Sequence, residues 1–203
     1  MIEVYHWGQA RSRRVMWTLE ELGVPYEVRP VRFPPRLRDP GYLEVNPLGT
    51  IPTFVDGDVR LTESLAICEY LARRYGGESL LVAPDEPDYP AYLQFLHYGE
   101  STLGHGIVPI VRYSTGRSAE TYAEVAGHFR ETFCERLAPV RERLAAGRAF
   151  LAADRLTLAD ISTAYAVNMT RVLGMTERLA PELARYLDEI ARRPAFQRAY
   201  AVA

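Results

Sequence analysis

One stretch gathers residue types from which a binding site can be built: NPLGTIPTFVDGDVRLTES, residues 46–64. A proline stands inside its strand-forming run, and an acid–hydroxyl pair precedes a helix-forming one. Proline removes a ladder donor, so Pro52 marks either an edge strand or turn, or a cis peptide that turns the Ile51 N–H and C=O outward. In the second case Ile51, next to Thr50, would pair antiparallel with a short extended peptide and read its main chain. Glu63-Ser64 stands where a helix begins. Unpaired amides and partial positive charge there suit a carboxylate, the Ser64 hydroxyl adds a donor, and Glu63 accepts from an ammonium group. That set fits the head of an amino acid; the other reading of Ser64 is an ordinary N-cap.

The surrounding elements are readable from periodicity. Met1 to Trp7 alternates as a strand, with Ile2, Val4 and His6 on one face and Glu3 and Tyr5 on the other. Val15, Leu19 and Leu22 form a helical stripe, with Gly23 as its cap and Pro25 beyond it. PYEVRPVRF reads as a second strand, parallel to the first through the helical crossover. PPRLRDPGYLEV reads as loop with one helical turn. TFVDGDVRL is a hairpin turning at Asp56-Gly57-Asp58, and a helix follows from about Ser64 to Tyr75, ended by Gly76-Gly77. The composition then shifts. Residues 78–88 are proline-rich linker, and helical runs follow at about 89–113, 119–146, 157–173 and 181–192. RLTLADISTAYA predicts a capping box from Thr157 and Asp160, with Leu156 and Ile161 as a hydrophobic staple. The expected organisation is an α/β domain over 1–77, a linker over 78–88 and an all-helical domain over 89–203.

Composition narrows the function classes. A 203-residue chain with 48% hydrophobic residues can bury a substantial core in one or two domains. A net charge of −2 gives no reason to expect a nucleic-acid or anionic-membrane partner, which usually needs a basic patch. The amino-terminal MIEVYHWGQARS lacks the pattern of a signal peptide, and no run approaches a membrane span. Cys68 and Cys134 are far apart and outside any CxxC or His spacing, which points to a reducing cytoplasm and to helix-packing roles. His97 and His105 share a helix face without a supporting carboxylate or cysteine set, so no metal site is read.

NPLGTIPTFVDGDVRLTESLAICEYLARRYG, downstream of RSRRVMWTLEELGVPYEV, closely resembles the cytosolic glutathione transferase family, and the likeness spans essentially the whole chain. The resemblance implies a thioredoxin-like amino-terminal domain followed by an all-α domain. It implies glutathione as co-substrate, with its cysteinyl backbone on Ile51 beside a cis Pro52 and its γ-glutamyl head at Glu63 and Ser64. Arg36 and Arg38 are placed to reach the glycine carboxylate.

A transferase of this kind must hold a thiolate at neutral pH. Lowering a thiol pKa from about 8.5 by about two units takes about 2.7 kcal/mol, within reach of one hydrogen bond plus a helix dipole. The family supplies the donor as Tyr, Ser or Cys near the end of the first strand, where this chain reads YHWGQARSRR. Ser12, at the helix start, ranks first; Tyr5, by alignment, second; the Gln9 side-chain amide third. Arg11 would add positive potential beside the sulfur. QARS contains no cysteine, which disfavours a disulfide reductase, and the Ser-Ser-Cys signature of the maleylacetoacetate isomerase-like class is missing.

The family's electrophile pocket draws on the loop after the first strand and the first helices of the second domain. That nominates Trp7, Gly8, Tyr98, Leu103 and Tyr113. The expected activity is conjugation of glutathione thiolate to small apolar electrophiles, a detoxification chemistry, in a cytoplasmic homodimer without metal. The alternatives are peroxidase activity on organic hydroperoxides and a non-catalytic, ligand-binding member of the fold.

Overall fold

The computed structural model describes residues 1–114 and 120–202. The chain forms two units: Met1–Leu81 with Ala191–Ala203, and Val82–Ile190.

The first unit is built on a four-stranded sheet in the order β2-β1-β3-β4. Strand β1 (Ile2–His6) runs parallel to β2 (Tyr26–Pro30) and antiparallel to β3 (Thr53–Asp56), which turns back into β4 (Val59–Leu61). The predicted alternation holds: Ile2, Val4 and His6 are buried, whereas Glu3 and Tyr5 are half-exposed. Helix α1 (Ser12–Leu22) crosses between β1 and β2 and ends where Gly23 takes φ 65°, a left-handed conformation cheap only for glycine. Two single-turn helices, α2 (Pro35–Arg38) and α3 (Tyr42–Val45), occupy the segment read as loop with one helical turn. Helix α4 (Ser64–Arg74) packs against α1, burying Ile67, Cys68, Leu71 and Ala72.

The second unit is helical. Helix α5 (Tyr89–Tyr98) runs through a π-helical stretch, Gly99–Gly104, into α6 (His105–Tyr113). Then come α7 (Ala123–Glu135), α8 (Ala138–Ala145), α9 (Leu158–Val172) and α10 (Pro181–Ala191). Position 119, the expected start of the second helical run, lies outside the described residues. Helix α9 is buried on all sides from Leu158 to Val167, the pattern of a central core helix. It packs on α5 and on the π-helical stretch, closely enough that a Cβ on Gly99 would collide with Ser162. The capping box forms: the Asp160 carboxylate accepts from the Thr157 N–H at 2.9 Å and hydroxyl at 3.0 Å. It also takes the Leu151 N–H and the Tyr186 hydroxyl, each at 2.9 Å.

The expected boundaries need one correction. The helical domain does not run to the end of the chain, because α11 (Pro194–Ala201) belongs with the α/β unit. It packs on α1, where Phe196 meets the Trp17 ring edge-on at 5.1 Å. Arg193 forks onto the Glu21 carboxylate with two bonds of 2.8 Å, and Arg198 Nε reaches Glu20 at 2.6 Å. Among the described residues, no helix is long and apolar enough to cross a membrane.

Candidate functional site

Three segments of the α/β unit bear the residues read as functional. The first is the turn leading into β3. The Ile51–Pro52 peptide is cis. Pairing with β1 stops at Thr53, and among the described residues no turn or loop hydrogen bond engages Ile51. The approach to Ile51 is held by side chains absent from the sequence reading. The Thr50 carbonyl accepts from the Tyr42 hydroxyl at 2.6 Å and from Asn46 Nδ2 at 2.9 Å. Asn46 also takes the Leu48 N–H at 3.1 Å. Asn46 and Tyr42 are buried, so this turn is a built support rather than a free loop. An Asn-Pro pair is a turn signal, but the Asn46 bond to Thr50 depends on a turn geometry that spacing does not give.

The second segment is the start of α4. Glu63, extended and exposed, occupies the N-cap position and makes no side-chain cap bond. Ser64 is therefore the first helical residue and not the N-cap. Its hydroxyl, on a side chain 4% exposed, accepts from Arg14 Nη1 at 3.2 Å, and Arg14 is itself fully buried. The first amides of α4 lack intrahelical acceptors by geometry, and a buried guanidinium behind them reinforces the positive end of the helix.

The third segment joins β1 to α1. Trp7–Ala10 closes as a turn, the Ala10 N–H donating to the Trp7 carbonyl at 2.9 Å, with Gly8 at φ 37°. Gly8, Gln9, Ala10 and Arg11 are half-exposed. Ser12, ranked first as thiolate donor, is fully buried, and its Oγ lies 2.7 Å from His6 Nδ1. The helix start lies over the end of β1, so this hydroxyl meets the inward-facing histidine and not solvent. Burial, reinforced by the Arg13 charge, pushes the His6 pKa down to about 4, so the ring is neutral. Its Nε2 has no partner among the described residues. Tyr5 leaves β1 on the opposite face, with its ring 5.5 Å from that of Tyr42. Of the three candidate donors, Gln9 alone is in the half-exposed loop.

Both arginines expected at the glycine carboxylate lie on α2. Arg36 spends its Nη2 on the Pro47 and Leu48 carbonyls, at 2.9 and 3.1 Å, bracing the turn described above. Arg38 is exposed on the last turn of α2.

The pocket nominees divide between the two units. In the α/β unit, Trp7 stacks on Phe33 with ring centroids 4.4 Å apart, and both rings are about 40% exposed. Phe33 precedes a second cis proline, Pro34, and was not nominated. In the helical unit, the half-buried Tyr98 donates its hydroxyl to the Arg136 carbonyl at 2.8 Å, and the half-buried Tyr113 ring lies 5.3 Å from that of Tyr122. Leu103 needs correction: it is fully buried in the π-helical stretch and serves the helical core. Burial also raises the Cys68 thiol pKa to about 11, which leaves it a packing residue. Among the described residues there is no group of three or more His, Cys, Asp or Glu side chains able to hold a metal.

Comparison with known proteins gives a consistent result. Residues 10–74 match the family model for the glutathione S-transferase N-terminal domain, and residues 104–194 that for the C-terminal domain. Glutathione S-transferase 3 of Zea mays is 30% identical over 196 residues, covering 93% of this chain and 87% of that protein. Glutathione S-transferase 3 of Schizosaccharomyces pombe is 37% identical over 103 residues, covering 51% of this chain but only 43% of its own length. A glutathione transferase family member from Pseudomonas fluorescens, solved with two glutathione bound, superposes with a TM-score of 0.81 at 26% identity, covering 98% of this chain and 92% of that one.

Proposed function

Because the chain belongs to the glutathione S-transferase family, we propose that it binds glutathione on its α/β unit and transfers the thiolate to small apolar electrophiles. The tripeptide lies extended, with its cysteinyl main chain pairing antiparallel to Ile51. Its γ-glutamyl carboxylate sits at the start of α4 near Ser64, and its ammonium meets Glu63. The thiol then falls at the loop joining β1 to α1. The Gln9 side-chain N–H and the amino-terminal dipole of α1 favour its ionised form. Attack forms a carbon–sulfur bond, and the leaving group departs with the electrons of the bond it breaks. Catalysis is mostly positioning and charge stabilisation.

The observation that carries this reading is the start of α4. An amino terminus without a side-chain cap, backed by buried Arg14 and Ser64, stands in the same unit as an Ile51 main chain outside the sheet's pairing. Gln9 comes forward as thiol donor because Ser12 is buried against His6 and Tyr5 leaves on the other face.

The test is the ultraviolet absorbance of bound glutathione against pH. A bound thiol pKa of about 6.5 supports the transferase reading; a value near the free thiol's about 8.5 leaves binding without catalysis. Chlorinated aromatics, epoxides and cumene hydroperoxide, assayed on one preparation, separate conjugation from peroxidase activity. Family expectation also makes the protein a cytoplasmic homodimer, which sedimentation checks for the assembly.

A further inference from the structure

The loop that carries Gln9 is held by a side chain none of the foregoing chemistry uses. Arg13 is 3% exposed. Its Nε donates to the Gly8 carbonyl at 2.9 Å, Nη1 to the Ala199 carbonyl at 2.6 Å and Nη2 to the Val202 carbonyl at 2.8 Å. The guanidinium lies 5.2 Å from the centroid of the Tyr200 ring, within cation–π range. The two distant carbonyls belong to the end of α11, the negative pole of that helix, where a cation is favoured. Helix α11 is itself anchored: Tyr200 stacks on Phe196 at 4.0 Å, and Phe196 meets Trp17.

We propose that Arg13 is a positioning residue that couples the carboxyl-terminal helix to the thiol-facing loop, fixing the Gly8 carbonyl and with it the peptide that presents Gln9. The inference rests on the reading that this loop meets the thiol. Geometry carries it. Gly8 sits at φ 37°, where the chain turns from strand to helix, and its carbonyl takes the Arg13 Nε bond. A rigid planar fork can span one loop carbonyl and two helix-end carbonyls at once, whereas a lysine ammonium on a flexible stem cannot hold that geometry. Displacing a catalytic donor by about 1 Å costs a large factor in rate even when nothing at the reacting centre is deleted.

Arg13→Lys, which keeps the charge and loses the fork, and Arg13→Met, which keeps only the stem, test this on the full chain. Glutathione affinity by calorimetry should stay within about twofold of wild type in both, because the Ile51 and Ser64 contacts are untouched. In both variants the bound-thiol pKa should rise by about one pH unit and kcat should fall about tenfold. Amide exchange over Gln9–Ser12 should quicken in parallel. If Lys retains the wild-type thiol pKa and kcat while Met loses them, charge and not position is at work, and the proposal fails. It also fails if both variants lose only thermal stability, with thiol pKa, kcat and loop exchange unchanged. Should Met not fold, the Lys variant alone decides between these outcomes. A wild-type bound thiol with its solution pKa would instead defeat the transferase reading on which the inference rests.

Discussion

Helix α9 and helices α1 and α4 begin in opposite ways. At α9 the Thr157 and Asp160 side chains close the amino terminus, and the carboxylate is enclosed by four donors in a fully buried setting. At α1 and α4 no side chain caps the start, and the residues at N-cap are an arginine and an exposed glutamate. The first arrangement spends the helix's positive end on its own fold. The second leaves that field for something else, and here it faces the two places where the proposed ligand carries or develops negative charge. The same physical device serves as a rivet in one unit and, in the proposed function, as a socket in the other.

Breaking the rivet should have the largest effect. Asp160→Ala removes the acceptor for four donors and should lower unfolding stability by about 3 kcal/mol or more, read by urea titration. Changes at the socket should spare the fold and cost function. Gln9→Ala should raise the bound-thiol pKa by about one pH unit and reduce kcat/KM about tenfold at unchanged melting temperature. Ser64→Ala should weaken glutathione binding by about five- to tenfold in calorimetry, because one donor to the carboxylate is lost. Ser12→Ala sharpens the contrast. Loss of the His6 partner should cost about 1 kcal/mol of stability and leave the bound-thiol pKa unchanged, and a shift there would return Ser12 to the catalytic role.

The comparison is sharpened further by a pair of opposite pH slopes. The folded-state pKa of His6, about 4, lies below the ordinary 6.5, so its contribution is present above pH 6.5 and lost as pH falls toward 4. Burial instead raises Asp160 to about 6 from 3.8, so its contribution is present below pH 3.8 and lost as pH rises through 6. Unfolding free energy measured between pH 4 and 7 on His6→Asn and Asp160→Asn should show these slopes removed in opposite senses. Both tryptophans, Trp7 and Trp17, lie in the α/β unit, so their emission follows that unit.

What the sequence disclosed was local. Alternation over Ile2–His6, the Gly23–Pro25 helix stop, the Asp56-Gly57 turn and the Thr157–Asp160 box each depend on neighbours within a few residues, and each formed. The segments proposed to hold the ligand were legible because a proline turn and a helix start are short motifs. The inward turn of Ser12 was not, since it depends on which side of α1 lies over His6. Nor was the return of α11 to the first unit, or the role of Arg13, whose partner at Ala199 is 186 positions away. Contacts of that separation leave no periodicity to read.

That return has a consequence for how the protein comes into being. Met1–Leu81 leave the ribosome while the segment that completes their unit, from Ala191, is still untranslated. Until Ala191–Val202 have been made, the Trp17 face of α1 lacks its Phe196 lid and Arg13 lacks its carbonyl partners at Ala199 and Val202. The nascent α/β unit must therefore wait, unfinished, through the whole translation of the helical unit inserted within it.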